Sequence, residues 1–221
     1  KYSRAAQMPF QRMKVRLKKE IVTMGQPAID PLKDVGHYLG PQEWNELIAD
    51  PDTVVIDTRN DYEVAIGSFA GAIDPGTRSF RDFPAWWQAN RDRFHNKRIA
   101  MFCTGGIRCE ILSAVMLNRG FKEVYQIQGG IVRYGEKYRD KGLWEGSLYV
   151  FDKRMTHNFS DEALTIGECE SCSGPTSSFR NCQGAGCKDL VLLCDSCFTD
   201  PANLKCSDSH TRGRQKLQEI G

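Results

Sequence analysis

Apolar positions along this chain come in short runs whose period keeps changing. TVVIDTR (53–59) and RIAMFC (98–103) are nearly continuous apolar stretches, the pattern of strands covered on both faces. VYQIQGG (124–130) predicts a third strand, and a turn followed by a short strand near Ala72–Ile73 is expected within 63–76. Between these the period lengthens to that of a helix. PQEWNELIAD (41–50) carries Pro41 near its first turn. RDFPAWWQANRDRF (81–94), RCEILSAVMLNRG (108–120, closed by Gly120) and GIVRYGEKYRDKG (130–142) complete the helices. Strands alternating with helices over about a hundred residues predict an α/β fold with a parallel sheet flanked by helices.

The two ends differ from this core. Phe10, Met13, Leu17, Ile21 and Met24 fall at helical spacing and predict an amphipathic helix. Residues 25–40, rich in Gly, Pro and Asp, read as a linker or an extended approach to the domain. From 169 onward the chain is rich in Cys, Ser and Gly, too short of large apolar residues to fold without metal staples. The expected division is therefore 1–36 (basic helix and linker), 37–145 (α/β domain), 146–168 (linker) and 169–221 (Cys-rich module).

Charge and composition refine this. The 221 residues carry a formal net charge of +2. That balance hides a basic arm of Lys1, Arg4, Arg12, Lys14, Arg16, Lys18 and Lys19 against Glu20. Such an arm is either a solvated helix face or a contact for nucleic acid. Arg12 and Lys14, with Arg78 and Arg81 farther on, are the candidates to meet RNA phosphates. No apolar run is long enough to span a membrane, and no signal-peptide pattern opens the chain. Nine cysteines, with CxxC pairs and no secretion signal, read as reduced thiols in the cytoplasm, serving as nucleophile and metal ligands. The pattern carries no oligomeric state.

The most informative stretch is IAMFCTGGIRCE (99–110). Cys103 ends a strand, Thr104, Gly105, Gly106 and Ile107 form a loop, and Arg108 opens a helix. In parallel α/β sheets ligands bind at the carboxyl ends of strands. A glycine-rich loop there turns backbone N–H groups inward, and a helix N-terminus adds to them. Arg108 supplies a fixed charge and a planar fork of donors. Together they favour a thiolate, or a persulfide anion, at neutral pH. Only four residues separate Cys103 from Arg108, a loop suited to a sulfur-sized anion; position 109, where a phosphate-binding C-x5-R loop needs arginine, is cysteine. Cys109 is either a resolving thiol or a core residue.

IDTRNDYEVAIGSFAGAI, CTGGIRCE and VYQIQGGIVRY resemble the three hallmark stretches of rhodanese domains. DTRNDYEVAIGSFAGAIDPGTRSFRDFP joined to FCTGGIRCE is similar to the rhodanese-like tRNA uridine hydroxylase family of bacteria, and the resemblance spans about residues 10–210. It implies a rhodanese-like sheet and oxygen-dependent conversion of wobble uridine 34 to 5-hydroxyuridine, with tRNA as partner and molecular oxygen as co-substrate. It implies Cys103 as the essential cysteine, and Gly105, Gly106 and Arg108 as shapers of its loop. Asp57 and Arg59 match the rhodanese D-x-R, a structural pairing beneath the loop, and Arg59 with Glu63 is an expected ion pair. Where many rhodaneses read G-H-I, this chain reads Gly67, Ser68, Phe69. The resemblance also implies an N-terminal ferredoxin-like domain ahead of residue 1.

The tail offers Cys169, Cys172, Cys182, Cys187, Cys194, Cys197, Cys206 and His210, enough for two tetrahedral zinc sites. Cross-braced pairing joins 169/172 with 194/197 and 182/187 with 206/210; sequential pairing takes the first four and the last four. A single zinc, or a disulfide-stapled tail, are the plainer alternatives. Oxygen activation is not readable: no H-x-D…H iron pattern is present, and no GxGxxG follows a strand to mark a flavin or nicotinamide site. Tyr62, Phe80, Phe83, Trp86 and Trp87 are candidates to stack on a base. Three readings compete: a tRNA hydroxylase, a persulfide sulfurtransferase drawing on a sulfur donor, and a non-catalytic rhodanese and zinc module that binds a protein.

Overall fold

The computed structural model describes residues 8, 10, 12, 13, 15–18, 20–25 and 33–205. The chain divides into two units, Lys1–Leu164 and Thr165–Gly221.

In the first unit the elements run β1 (His37–Leu39), α1 (Pro41–Ile48), β2 (Thr53–Asp57), α2 (Asp61–Val64), β3 (Gly67–Phe69), α3 (Phe83–Asn90), β4 (Arg98–Phe102), α4 (Ile107–Asn118), β5 (Val124–Ile127), α5 (Gly130–Tyr138), β6 (Trp144–Gly146), β7 (Leu148–Tyr149) and β8 (Thr156–His157). Four strands form a parallel sheet in the order β1-β5-β4-β2. Successive strand side chains point to opposite faces, and β4 shows the result. Ile99 and Met101 join a cluster with Phe83, Trp87, Leu112 and Met116 from α3 and α4. Ala100 and Phe102 join Trp44, Ile131 and Tyr134 from α1 and α5. Both faces of the sheet are thus covered, which is why its strands read as unbroken apolar runs.

Three expectations change. Among the described residues of 8–25 there is no helix. Phe10, Met13, Leu17 and Ile21 stay exposed, while Val22 and Met24 dock on the α3–α4 cluster. An amphipathic stripe stabilises a helix mainly by being buried, and of this one only Met24 is buried. Residues 37–39, expected at the start of the α/β domain only as an extended approach, form the edge strand β1 beside β5. Most of 146–168, also read as linker, belongs to the first unit: β6 pairs with β3, β7 pairs with β8, and Val150 and Phe159 pack on the α1–α5 cluster.

The second unit has a two-stranded antiparallel ladder, β9 (Phe179–Asn181) with β10 (Leu190–Leu192), and a one-turn helix α6 (Asp195–Phe198). Its core is small: Cys169, Cys182, Val191, Leu193 and Leu204, with Cys187, Cys194 and Cys197 against it.

Candidate active site

Cys103 follows β4 directly, and its side chain is buried. Gly106, at φ 95°, turns the chain into α4, a left-handed conformation that favours glycine. Its N–H donates to Cys103 Sγ at 3.1 Å. The N-terminus of α5 closes the loop from the other side, Ile131 N–H to the Cys103 carbonyl and Val132 N–H to the Thr104 carbonyl, each at 3.1 Å.

Burial alone would push the Cys103 thiol up. Against it act a hydrogen bond from the Cys109 thiol, the charge of Arg108, and the N–H groups of Cys109 and Arg108, and the balance lowers the thiol to about 5. Cys109 moves the other way: burial, its bond to Cys103 and the thiolate's charge hold it well above the ordinary value. The pair therefore divides into one thiolate and one thiol at neutral pH. Cys109 is a core residue whose S–H faces the Cys103 sulfur, and Thr58 Oγ1 lies 3.5 Å from its Sγ.

Arg108 is held on Glu63, Nη1 to Oε2 at 2.6 Å and Nη2 to Oε1 at 2.8 Å, while Nη2 also donates to Thr104 Oγ1 at 3.2 Å. Glu63 is wholly buried and accepts the N–H of Asn60 at the start of α2. Burial would lower the Arg108 pKa, but its bonds to Glu63 and its charge neighbours raise it, so the guanidinium stays charged. The expected Arg59–Glu63 ion pair is not formed. Arg59 instead grips Asp57, Nε to Oδ1 at 2.9 Å and Nη2 to Oδ2 at 2.6 Å. It reaches only the backbone carbonyls of Glu63 and Gly67. Ser68, where a histidine stands in many rhodaneses, donates to Asp57 at 3.0 Å. The D-x-R pair is thus a buried brace below the loop, and Glu63 serves the loop arginine.

Phe80, Phe83 and Trp87 are core residues, and the half-buried Trp86 packs against Phe83 and Phe94. Arg78, Arg81 and Arg12 are exposed; Lys14 lies outside the described residues. Sequence reasoning missed Tyr149 and Phe151, which stand beside Tyr62 and Arg108. No local signal marks them, because a nonlocal ladder brings them there.

In the second unit the Sγ atoms of Cys169, Cys172, Cys194 and Cys197 lie within 4.8 Å of one another. A tetrahedral zinc with Zn–S of about 2.3 Å has S···S edges of about 3.8 Å, and Cys172 and Cys194 are 3.7 Å apart. The four thiols fit such an ion, and they are the cross-braced set. The sequential set is not gathered: Cys182 and Cys187 stand outside the group, and Cys206 and His210 lie outside the described residues.

Residues 40–137 match the family model of the rhodanese-like domain, and 145–210 match that of the rhodanase C-terminal region. The chain thus carries a rhodanese-like domain followed by a rhodanase C-terminal region. It is 56% identical over 178 residues to the tRNA uridine(34) hydroxylase of Brucella ovis, covering 79% of this chain and 58% of that protein. With the tRNA uridine(34) hydroxylase of Ruegeria pomeroyi the identity is 58% over 167 residues, covering 75% of this chain and 54% of the relative. The chain thus spans a little over half the length of the curated relatives it matches. Among solved structures, a rhodanese-related protein of Thermoplasma volcanium aligns over 46% of this chain and 92% of its own, with a TM-score of 0.36 and 22% identity.

Proposed function

We propose that this chain is the rhodanese-like and C-terminal part of an enzyme that hydroxylates wobble uridine 34 of tRNA to 5-hydroxyuridine, with Cys103 as its nucleophile. The observation that carries the reading is the Cys103 thiolate, cradled by backbone N–H groups beside a charged Arg108, in a chain 55–58% identical to proteins named for that reaction.

A thiolate adding to C6 of uracil forms an S–C6 bond and moves the C5–C6 π electrons toward O4. C5 becomes the nucleophilic carbon of an enolate. After C5 gains oxygen, loss of H5 and expulsion of the thiolate restore the ring. Dioxygen supplies the oxygen atom, and two electrons and two protons from a reductant outside this chain take the second atom to water. Arg108 and the loop N–H groups hold the sulfur ionised before attack and after release. Thr104, Gly105, Gly106 and Ile107 form the loop, and Asp57, Arg59 and Glu63 brace it. Arg78, Arg81, Arg12 and Lys14 contact RNA phosphates. One structural zinc sits on Cys169, Cys172, Cys194 and Cys197, and a second on Cys182, Cys187, Cys206 and His210. A tRNA substrate puts the activity in the cytoplasm.

The test uses cells lacking the endogenous gene, complemented with the full-length protein or its Cys103→Ser variant. Nucleosides of bulk tRNA are analysed by mass spectrometry. The reading expects 5-hydroxyuridine derivatives with the first and none with the second; their formation by the serine variant refutes it. The N–H groups aimed at Cys103 Sγ also suit a persulfide anion and favour sulfur transfer as the second reading. Cyanolysis of thiosulfate without any effect on uridine would establish that one instead.

A further inference from the structure

Phe151 sits in the loop between β7 and β8 and is 57% exposed. A lone exposed phenylalanine needs no explanation, but this one is fixed in place. Val150 N–H donates to the Met155 carbonyl at 2.8 Å, closing the hairpin. Arg154 clamps the Asp152 carboxylate through Nε at 2.9 Å and Nη2 at 2.6 Å. Tyr149 meets the Phe151 ring edge-on, with centroids 5.1 Å apart, and Tyr62 meets Tyr149 the same way at 5.0 Å. The guanidinium carbon of Arg108 lies 5.8 Å from the Phe151 centroid. This is the arginine that is bonded to Glu63 and Thr104 and faces Cys103. A rigid aromatic ring, open to water, therefore stands one side chain away from the reactive sulfur.

Cys103 is only 2% exposed, so whatever reaches it must be thin and must be held edge-in. A pyrimidine unstacked from a single-stranded loop has that shape, and it needs a new stacking partner to replace the neighbours it leaves. Fixing the ring beforehand lowers the entropy lost when the base binds. We infer that Phe151 is the stacking platform on which the pyrimidine base is laid for attack by Cys103. The inference rests on the proposed function and adds to it: the hairpin belongs to the C-terminal region, so that region supplies the base-holding surface that the rhodanese-like loop lacks.

The experiment compares anticodon stem-loops carrying uridine or an abasic site at position 34. Their affinities for the full chain are measured by fluorescence anisotropy, for wild type, Phe151→Leu and Phe151→Trp. Stacking is worth about 1–3 kcal/mol per base, a factor of about 5 to 150 in affinity. Wild type and Phe151→Trp should prefer the uridine loop by a factor in that range. Phe151→Leu keeps apolar bulk but should lose most of the preference, with its affinity for the abasic loop unchanged, which also reports that it is folded. The inference is overturned if wild type shows no preference or if Phe151→Leu keeps it. A wild type that discriminates yet makes no 5-hydroxyuridine would sink the proposed function and leave Phe151 standing. Hydroxylation with an unaltered kcat/KM in Phe151→Leu would do the reverse.

Discussion

Arg108 and Glu63 meet where there is almost no water, so removing either strands the charge of the other. Glu63 is fully buried, Arg108 is 8% exposed, and two hydrogen bonds of 2.6 and 2.8 Å join them. Breaking a buried pair by deleting one partner costs about 3–5 kcal/mol, a large share of the ~5–15 kcal/mol that keeps a domain folded. Arg108→Met and Glu63→Gln should each lower the urea midpoint by about 1.5–2.5 M, at a slope of about 2 kcal/mol per molar. The double variant strands no charge, so its loss should fall short of the summed single losses by about 2 kcal/mol or more. The two single variants then part company at the sulfur. Arg108→Met removes a charge that pulls the Cys103 thiol down, so its midpoint should rise above about 5. Glu63→Gln removes a negative charge from the same cluster, so the midpoint should not rise. Unfolding is followed by tryptophan fluorescence, and the thiol by the pH dependence of iodoacetamide alkylation at the Cys103 peptide, read by mass spectrometry. Strictly additive stability losses, or a shift of the thiol in the same direction in both variants, would refute this account of the loop.

The same alkylation profile in the wild-type protein should reach half its plateau near pH 5; a midpoint near the ordinary thiol value of about 8.5 would show that the cradle does not act. Cys109→Ala deletes an S–H donor to the thiolate, so its midpoint should lie above the wild-type one. Because folding lowers this thiol's pKa, its contribution to stability is present above about pH 8.5 and is lost as the pH falls toward about 5. Cys103→Ala should accordingly flatten the pH dependence of the urea midpoint within that window. Gly130 has φ +68°, and a Cβ there would sit 2.5 Å from the carbonyl oxygens of Cys103 and Thr104. Gly130→Ala should therefore displace the loop and weaken thiolate alkylation at pH 7 by about tenfold or more, a loss of 1.4 kcal/mol or above; an unchanged rate would contradict the close approach. Finally, Cys194→Ser should reduce the bound zinc by one equivalent per chain in metal analysis of reduced protein, and an unchanged zinc content would exclude the four-cysteine site.

What the residues announced by themselves was whatever neighbouring positions decide. RIAMF reads as a strand and CTGGIR as an anion loop because a buried run, two glycines and a helix start are all local. The partners of Glu63 and Arg59 are not local in that sense. The resemblance implied that these two meet, yet Arg59 turns back to Asp57, two residues away, and Glu63 is taken by Arg108, forty-five residues on. The amphipathic spacing of Phe10 to Met24 fails for a related reason: it specifies a face but not the surface to cover it. Residues 146–164 carry only two- and three-residue strands, whose place follows from pairing with β3 and from Phe159 seated against Gly135. This hidden pairing has a chemical consequence. It sets Tyr149 and Phe151 beside Arg108, so the surroundings of Cys103 depend on a segment whose sequence shows no chemistry of its own. If so, replacing Gly135 with Leu, which drives a side chain into the Phe159 ring, should unseat the hairpin and lower uridine-specific binding while the β4–α4 loop keeps its low thiol midpoint. A raised midpoint alongside the lost binding would mean that hairpin and loop form one unit, with no division of labour between them.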